Sequence, residues 1–167
     1  MCEYNMLSIR EAKIKDLEKI TEIYNEAILK TTATFDTQIK TFDEQKVWFK
    51  CHYQKNPILI AEENNVIVGW ASLSKWSDRC AYSDTYEISC YVKEEFQNKG
   101  IGKSLMENLL EEGKKAGFHV VIARITEGNL NSIHLHESLG FEHIGIMKEV
   151  GFKFGKRLDV YLMEKIF

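Results

Sequence analysis

The sequence predicts a layered α/β domain. Three observations carry that expectation. The chain has 167 residues, the usual size of one domain and enough to bury a real core. Segments of strand period and helix period follow each other in the order β-α-α-β-β-β-α-β-α-β-β. There is one proline, Pro57, and no linker, repeat or low-complexity stretch, so a single domain spanning 1–167 is expected.

Leu7 to Arg10 reads as the first strand. A helix follows from about Lys15 to Lys30, because Leu17, Ile20, Ile23, Tyr24, Ala27 and Ile28 fall on one helical face. Thr31 to Lys40 is Thr-rich without helical period and reads as a loop. Thr41 followed by Glu44 is a capping-box pattern opening a second helix to about His52. Pro57 marks a break. Ile58–Ala61 and Val66–Leu73 then form a hairpin around the turn signal Asn64-Asn65. Lys75 to Ser83 reads as a loop and Tyr86 to Val92 as a central strand.

Gly102 to Ala116 is expected to be helical, with Leu105, Met106, Leu109 and Leu110 buried and Gly117 as its C-terminal cap. Val120 to Ile125 is nearly all apolar, as in a strand buried on both faces. A short helix from about Asn131 to Leu139 ends at Gly140. Strands near Glu142–Ile146 and Asp159–Glu164 close the chain.

Composition narrows the function classes. The net charge of -3 is mild and the basic residues are dispersed, which argues against a nucleic-acid or membrane partner. No apolar run is long enough to span a bilayer. Met1 to Asn5 lacks the features of a secretory signal, so a cytoplasmic location is the expectation. Cys2, Cys51, Cys80 and Cys90 have neither zinc-ligand nor Cys-x-x-Cys spacing. Free thiols, some of them core fillers, are expected, and no metal.

The segment between the central strand and the following helix carries Gln97-Asn98-Lys99-Gly100-Ile101-Gly102. Free amides at a helix start and the positive end of its dipole attract an anion. Two glycines let the backbone approach a pyrophosphate closely, and Lys99 and Lys103 add positive charge. A plain strand-to-helix turn would read the same way. The segment is not a Walker motif, since no glycine stands five residues before Gly102. Nor is it the dinucleotide Gly-x-Gly-x-x-Gly, since residue 105 is Leu.

Gln-x-x-Gly-x-Gly after an apolar strand ending in Val resembles the coenzyme A loop of the GNAT acetyltransferases. More narrowly, nearly the whole chain resembles the phosphinothricin and methionine sulfoximine N-acetyltransferases. That likeness rests on Thr32-Ala33-Thr34-Phe35, on Trp76 and Arg79-Cys80-Ala81-Tyr82, and on Thr85 to Val92. It continues through Asn129, Ser132 and His136-Glu137-Ser138-Leu139-Gly140-Phe141, and through Val150-Gly151-Phe152-Lys153, Gly155 and Asp159-Val160. The resemblance implies a GNAT fold, with a mixed, mostly antiparallel sheet splayed at strands 4 and 5 and about four flanking helices. It implies acetyl-CoA as co-substrate, a small amino-acid-like amine as acceptor, and a homodimer whose acceptor pocket lies near the subunit interface.

The resemblance also implies roles. Cys90, Tyr91 and Val92 would pair with the pantetheine arm, Gln97 to Lys103 would hold the pyrophosphate, and Asn129 and Ser132 would contact the cofactor. Strand alternation places Glu87, Ser89 and Tyr91 on one face. A carboxylate in mid-strand is costly without work or a partner. An ammonium must lose a proton before it can attack a thioester, so Glu87 is the candidate general base; a structural salt bridge is the alternative. His136 is the candidate acid, or a packing residue. Arg79 could grip an acceptor carboxylate through two hydrogen bonds, with Phe35, Tyr82, Ser89 and Tyr91 as further pocket positions. Trp76 also reads as a core filler. The family's Lys before the Ala-Tyr pair has no clear counterpart; Ser77 and Asp78 stand there. Two rival readings are protein N-terminal or ribosomal-protein acetylation, and a non-catalytic CoA-binding module.

Overall fold

The computed structural model describes residues 7–53 and 56–167. Cys2 and the N-terminal stretch read for a signal lie outside the described residues. The elements are β1 (Leu7–Glu11), α1 (Leu17–Lys30), α2 (Phe42–Tyr53), β2 (Ile58–Glu63), β3 (Val66–Lys75), β4 (Thr85–Val92), α3 (Ile101–Lys115), β5 (Val120–Thr126), α4 (Leu130–Ser138), β6 (Glu142–Lys153) and β7 (Lys156–Ile166). Their order is the one read from the sequence.

The strands form one seven-stranded sheet in the order β1-β2-β3-β4-β5-β7-β6. Every neighbouring pair is antiparallel except β4 and β5, which run parallel. That parallel pairing covers only Thr85–Glu87 against Val120–Ile122. Beyond it the two strands part, and the sheet opens as a V.

Helices cover both faces because strand alternation makes both apolar. On one face Leu17, Ile20 and Ile23 of α1 pack with Phe49 of α2 against Ile58, Ile60 and Trp70. On the other, Leu105, Met106, Leu109 and Leu110 of α3 pack against Leu59, Val68, Leu73, Ile88, Val121 and Ala123. Full burial of such a side chain contributes roughly 1.5–3 kcal/mol. The capping box at α2 is formed: Thr41 N–H donates to Glu44 Oε2 at 2.7 Å and Glu44 N–H to Thr41 Oγ1 at 3.3 Å.

Two sequence expectations need correction. β5 is not buried on both faces: Val121, Ala123 and Ile125 enter the core, but Arg124 on the other face is exposed. β6 and β7 form one long hairpin rather than two short strands. The register of β6 shifts between His143 and Gly145 and again between Met147 and Gly151, with Glu149 at φ 51; such bulges scramble the period-two pattern. The cysteine expectation holds for the described residues: all three are free, Cys90 packs against the core, and Cys51 and Cys80 are exposed.

Candidate active site

The V between β4 and β5 opens into a cleft of about 1520 Å³. Its walls come from β3, β4 and β5, its mouth from the starts of α3 and α4, and its far end from the segment after α1. From Ile88 onward, the β4 edge that faces β5 has no strand partner. An extended ligand can therefore lie along it and take up backbone hydrogen bonds.

At the mouth, Asn98 (φ 58) and Gly100 (φ 82) are both left-handed. Gly100 is the N-cap of α3, and a Cβ placed there meets nothing within 4 Å, so the space above it is open. Ser104 N–H is the first to bond back, to Gly100 O at 3.0 Å. The amides before it lack helical acceptors and sit at the positive end of α3, a geometry suited to a diphosphate. The Gln97 side chain donates to Val92 O at 2.9 Å, so it shapes the turn from within. Gln97, Asn98, Gly100, Gly102 and Lys103 line the cleft. Ile101 buries its side chain and could contribute only its backbone; Lys99 lies over the Phe96 ring, 4.8 Å from its centre, and is not in the lining.

Along β4, Cys90 and Val92 face α3 while Ser89 and Tyr91 face α1. Burial pushes the Cys90 thiol up to about 12, so it stays protonated. Asn129 Oδ1 accepts the Ser132 N–H at 3.2 Å and caps α4. Asn131 reaches across the mouth to Asn98 at 3.4 Å. Asn129, Ser132 and His136 all line the cleft.

Glu87 is the last β4 residue paired to β5, and its carboxylate faces the cleft. Arg124 grips both of its oxygens, Nε to Oε1 at 2.6 Å and Nη2 to Oε2 at 2.7 Å. The guanidinium carbon lies 5.8 Å from the centre of the Trp76 ring. The salt bridge weighed as an alternative from the sequence is thus present, and it lies inside the cleft.

His136 has a geometry that runs against an acid role. Its Nδ1–H donates to the Ser132 carbonyl at 2.7 Å, and burial lowers its pKa below the ordinary 6.5. At neutral pH the ring is neutral and its proton points away from Nε2. An edge-on contact with Phe141, 4.9 Å between ring centres, fixes it further.

The segment after α1 closes the far end. Tyr24 donates to Asp36 at 2.8 Å, and the buried Lys153 donates to Thr34 O at 2.7 Å. Phe35 lies on the backbone of Gly151, where an added Cβ would come within 2.1 Å of its ring. Among the described residues, the only buried side-chain polar atom without a partner is Trp70 Nε1, and Trp70 lines this end.

The acetyltransferase (GNAT) family profile matches residues 17–141. The chain belongs to this family. The acetyltransferase is 40% identical over 159 residues to an L-amino acid N-acyltransferase of Escherichia coli, covering 95% of this chain and 92% of the relative. It is 38% identical to an L-methionine sulfoximine/L-methionine sulfone acetyltransferase of Salmonella typhimurium, covering 95% and 93%. A crystal structure of a phosphinothricin acetyltransferase from Sinorhizobium meliloti in complex with acetyl-CoA superposes with a TM-score of 0.94. It is 35% identical and covers 96% of this chain and 88% of that one.

Within the acetyltransferase, most residues singled out from the sequence converge on the cleft: Phe35, Glu87, Ser89, Cys90, Tyr91 and Val92 in its interior, with the loop and α4 residues at its mouth. Arg79 and Tyr82 do not. They sit at an exposed turn between β3 and β4, outside the lining of the single chain. Sequence reasoning missed Arg124, Gly151 and Lys153 as site-forming residues. The signal for Arg124 was a lone cation in an otherwise apolar strand. Lys153 and Gly151 entered only through the family likeness and not as site residues, since their meaning comes from contacts with residues more than a hundred positions away.

Proposed function

We propose that this acetyltransferase transfers the acetyl group of acetyl-CoA to the amine of a small amino acid of the methionine sulfoximine, methionine sulfone or phosphinothricin type. The observation that carries this reading is the Glu87 carboxylate, held inside the cleft where β4 leaves β5. The arrangement fits acetyl-CoA: a diphosphate at the amides of Asn98 to Lys103, and an extended arm along the unpaired edge of β4 at Cys90, Tyr91 and Val92, beside Asn129 and Ser132. The co-substrate supplies an acyl group activated as a thioester.

The chain's own residues do the rest. Glu87 takes a proton from the acceptor ammonium, directly or through water, leaving a nucleophilic amine. Attack of that amine on the thioester carbon forms the amide bond as the C–S bond breaks, and the proton shed by the new amide nitrogen passes through water to the departing CoA thiolate. Phe35, Ser89 and Tyr91 shape the acceptor end. Arg79 and Tyr82, exposed beyond the cleft, would meet the acceptor only at its rim or across a subunit boundary. His136, neutral and tied to Ser132, serves packing.

The test is release of free CoA thiol from acetyl-CoA across a panel of amino acids, their sulfone, sulfoximine and phosphinic analogues, simple amines and an N-terminal peptide. Turnover with the analogues and little with the peptide is expected. Turnover confined to the peptide would reject the reading, and no thiol release with any amine would favour a non-catalytic binding module.

We also infer a single catalytic domain that is homodimeric and cytoplasmic. Exposed apolar side chains along β6 and its turn, namely Ile144, Ile146, Val150, Phe152 and Phe154, support burial against a second copy. The free, exposed thiols of Cys51 and Cys80 fit a reducing compartment. Sedimentation at micromolar concentration tests the dimer; a monomer there would overturn it.

A further inference from the structure

We propose that the Glu87–Arg124 ion pair is a receptor for a zwitterion: the acceptor's carboxylate takes Arg124 while its ammonium takes Glu87. This rests on the reading of the cleft as an amino-acid acetylation site, and deepens it by naming the group that selects for a free α-carboxylate.

The geometry points this way in three respects. First, the pair is bidentate and lies in the cleft, so one anion and one cation already sit side by side where the acceptor must enter. Second, the two partners are unequally held. The Glu87 side chain is 20% exposed and Arg124 51%, and the guanidinium rests over the Trp76 face rather than in a buried socket. Arg124 can therefore swing while Glu87 stays. Third, Arg124 projects from β5 beyond the last residue paired to β4, where the strands have separated, so a small molecule entering the V would part the two touching side chains rather than a strand ladder.

The charge arithmetic then selects the acceptor. An α-amino acid brings one positive and one negative group on the same carbon. Inserted between the partners, it replaces one ion pair by two, and each charge keeps an opposite neighbour. An amine without a carboxylate must pull Glu87 away from Arg124 and leaves the guanidinium unpaired beside a second cation. The fork of an arginine matches a carboxylate through two parallel hydrogen bonds, which a lysine would not. Arg79, at the exposed turn and outside the lining, is the competing candidate for the same task.

The experiment compares L-methionine sulfone with its carboxamide, which keeps the amine and loses the carboxylate. Binding is measured by calorimetry on protein saturated with CoA, and turnover by thiol release with acetyl-CoA, for wild type, Arg124→Met, Arg124→Lys and Arg79→Ala. The wild type should prefer the free acid by about 30-fold or more in kcat/KM and in affinity, as expected of a charge-assisted bidentate contact. Arg124→Met should bring that preference to within about three-fold, by raising KM for the acid while the carboxamide is handled as well or better. Arg124→Lys should recover only part of it, and Arg79→Ala should leave it largely in place. Three results would overturn the inference: equal use of acid and carboxamide by the wild type, an equal loss for both in Arg124→Met, or transfer of the whole effect to Arg79→Ala. Binding that discriminates without turnover would sink acetylation and leave the receptor standing.

Discussion

At Glu87 the two readings open at the sequence level turn out to be compatible, since one carboxylate faces both a cation and the cleft. Glu87→Gln keeps the shape and removes the proposed base. Turnover should fall by about 10²-fold or more while acetyl-CoA affinity stays within a factor of about three; an unaffected rate would remove Glu87 from the mechanism. His136→Asn should leave the shape of the pH–rate profile unchanged, because the wild-type ring has no Nε2 proton to give at neutral pH. A lost basic limb in that variant would restore the acid role. Gly151→Ala probes the proposed acceptor end alone. The new methyl must displace Phe35, a strain of roughly 1–3 kcal/mol. The expected outcome is an acceptor KM raised about tenfold with the acetyl-CoA KM unmoved.

The helices were legible in the sequence for definite reasons. α1 shows its buried stripe at Leu17, Ile20, Ile23 and Ile28, and α2 its capping box at Thr41 and Glu44. Thr41→Ala should therefore cost about 1 kcal/mol, read as a lower urea midpoint with an unchanged slope. β2 and β3 were legible as short apolar runs bounded by Pro57 and the Asn64-Asn65 turn, although their pairing shifts register between Ala61 and Glu62, whereas β6 hides behind its two register shifts. The proposed phosphate loop was readable because its chemistry is local, two glycines and a helix start. The far end of the cleft was not, because Thr126 to Thr32 and Lys153 to Thr34 are contacts across most of the chain. The exposure of Arg124 was hidden for a related reason: its strand's second face borders a cleft, and apolar composition alone cannot tell a cleft from a core.

Two buried histidines tie the stability of the whole molecule to pH. His52 accompanies His136, with Nε2 3.0 Å from Leu73 O, and burial lowers both pKa values from 6.5. Above that value both states are neutral and neither ring contributes. As pH falls below 6.5, the unfolded chain takes up protons that the folded rings refuse, so stability declines. Urea midpoints should drop between about pH 7 and 5, and the drop should shrink in His136→Asn. A midpoint flat over that interval would show the rings accepting protons in place.

A larger consequence comes from the brevity of the β4–β5 ladder. Three residue pairs, extended at one end by the Asp84 carbonyl accepting from the His119 and Val120 amides, join the β1–β4 half of the sheet to the β5–β7–β6 half. The shared core under α3 holds the two halves together on one side, and a long ligand laid in the gap would add a staple beyond the end of the ladder. Loading the donor should therefore raise the melting temperature more than contact with either half alone would, and should slow hydrogen exchange at the amides of Ile88 to Val92. Mechanical integrity and substrate occupancy would then be the same variable.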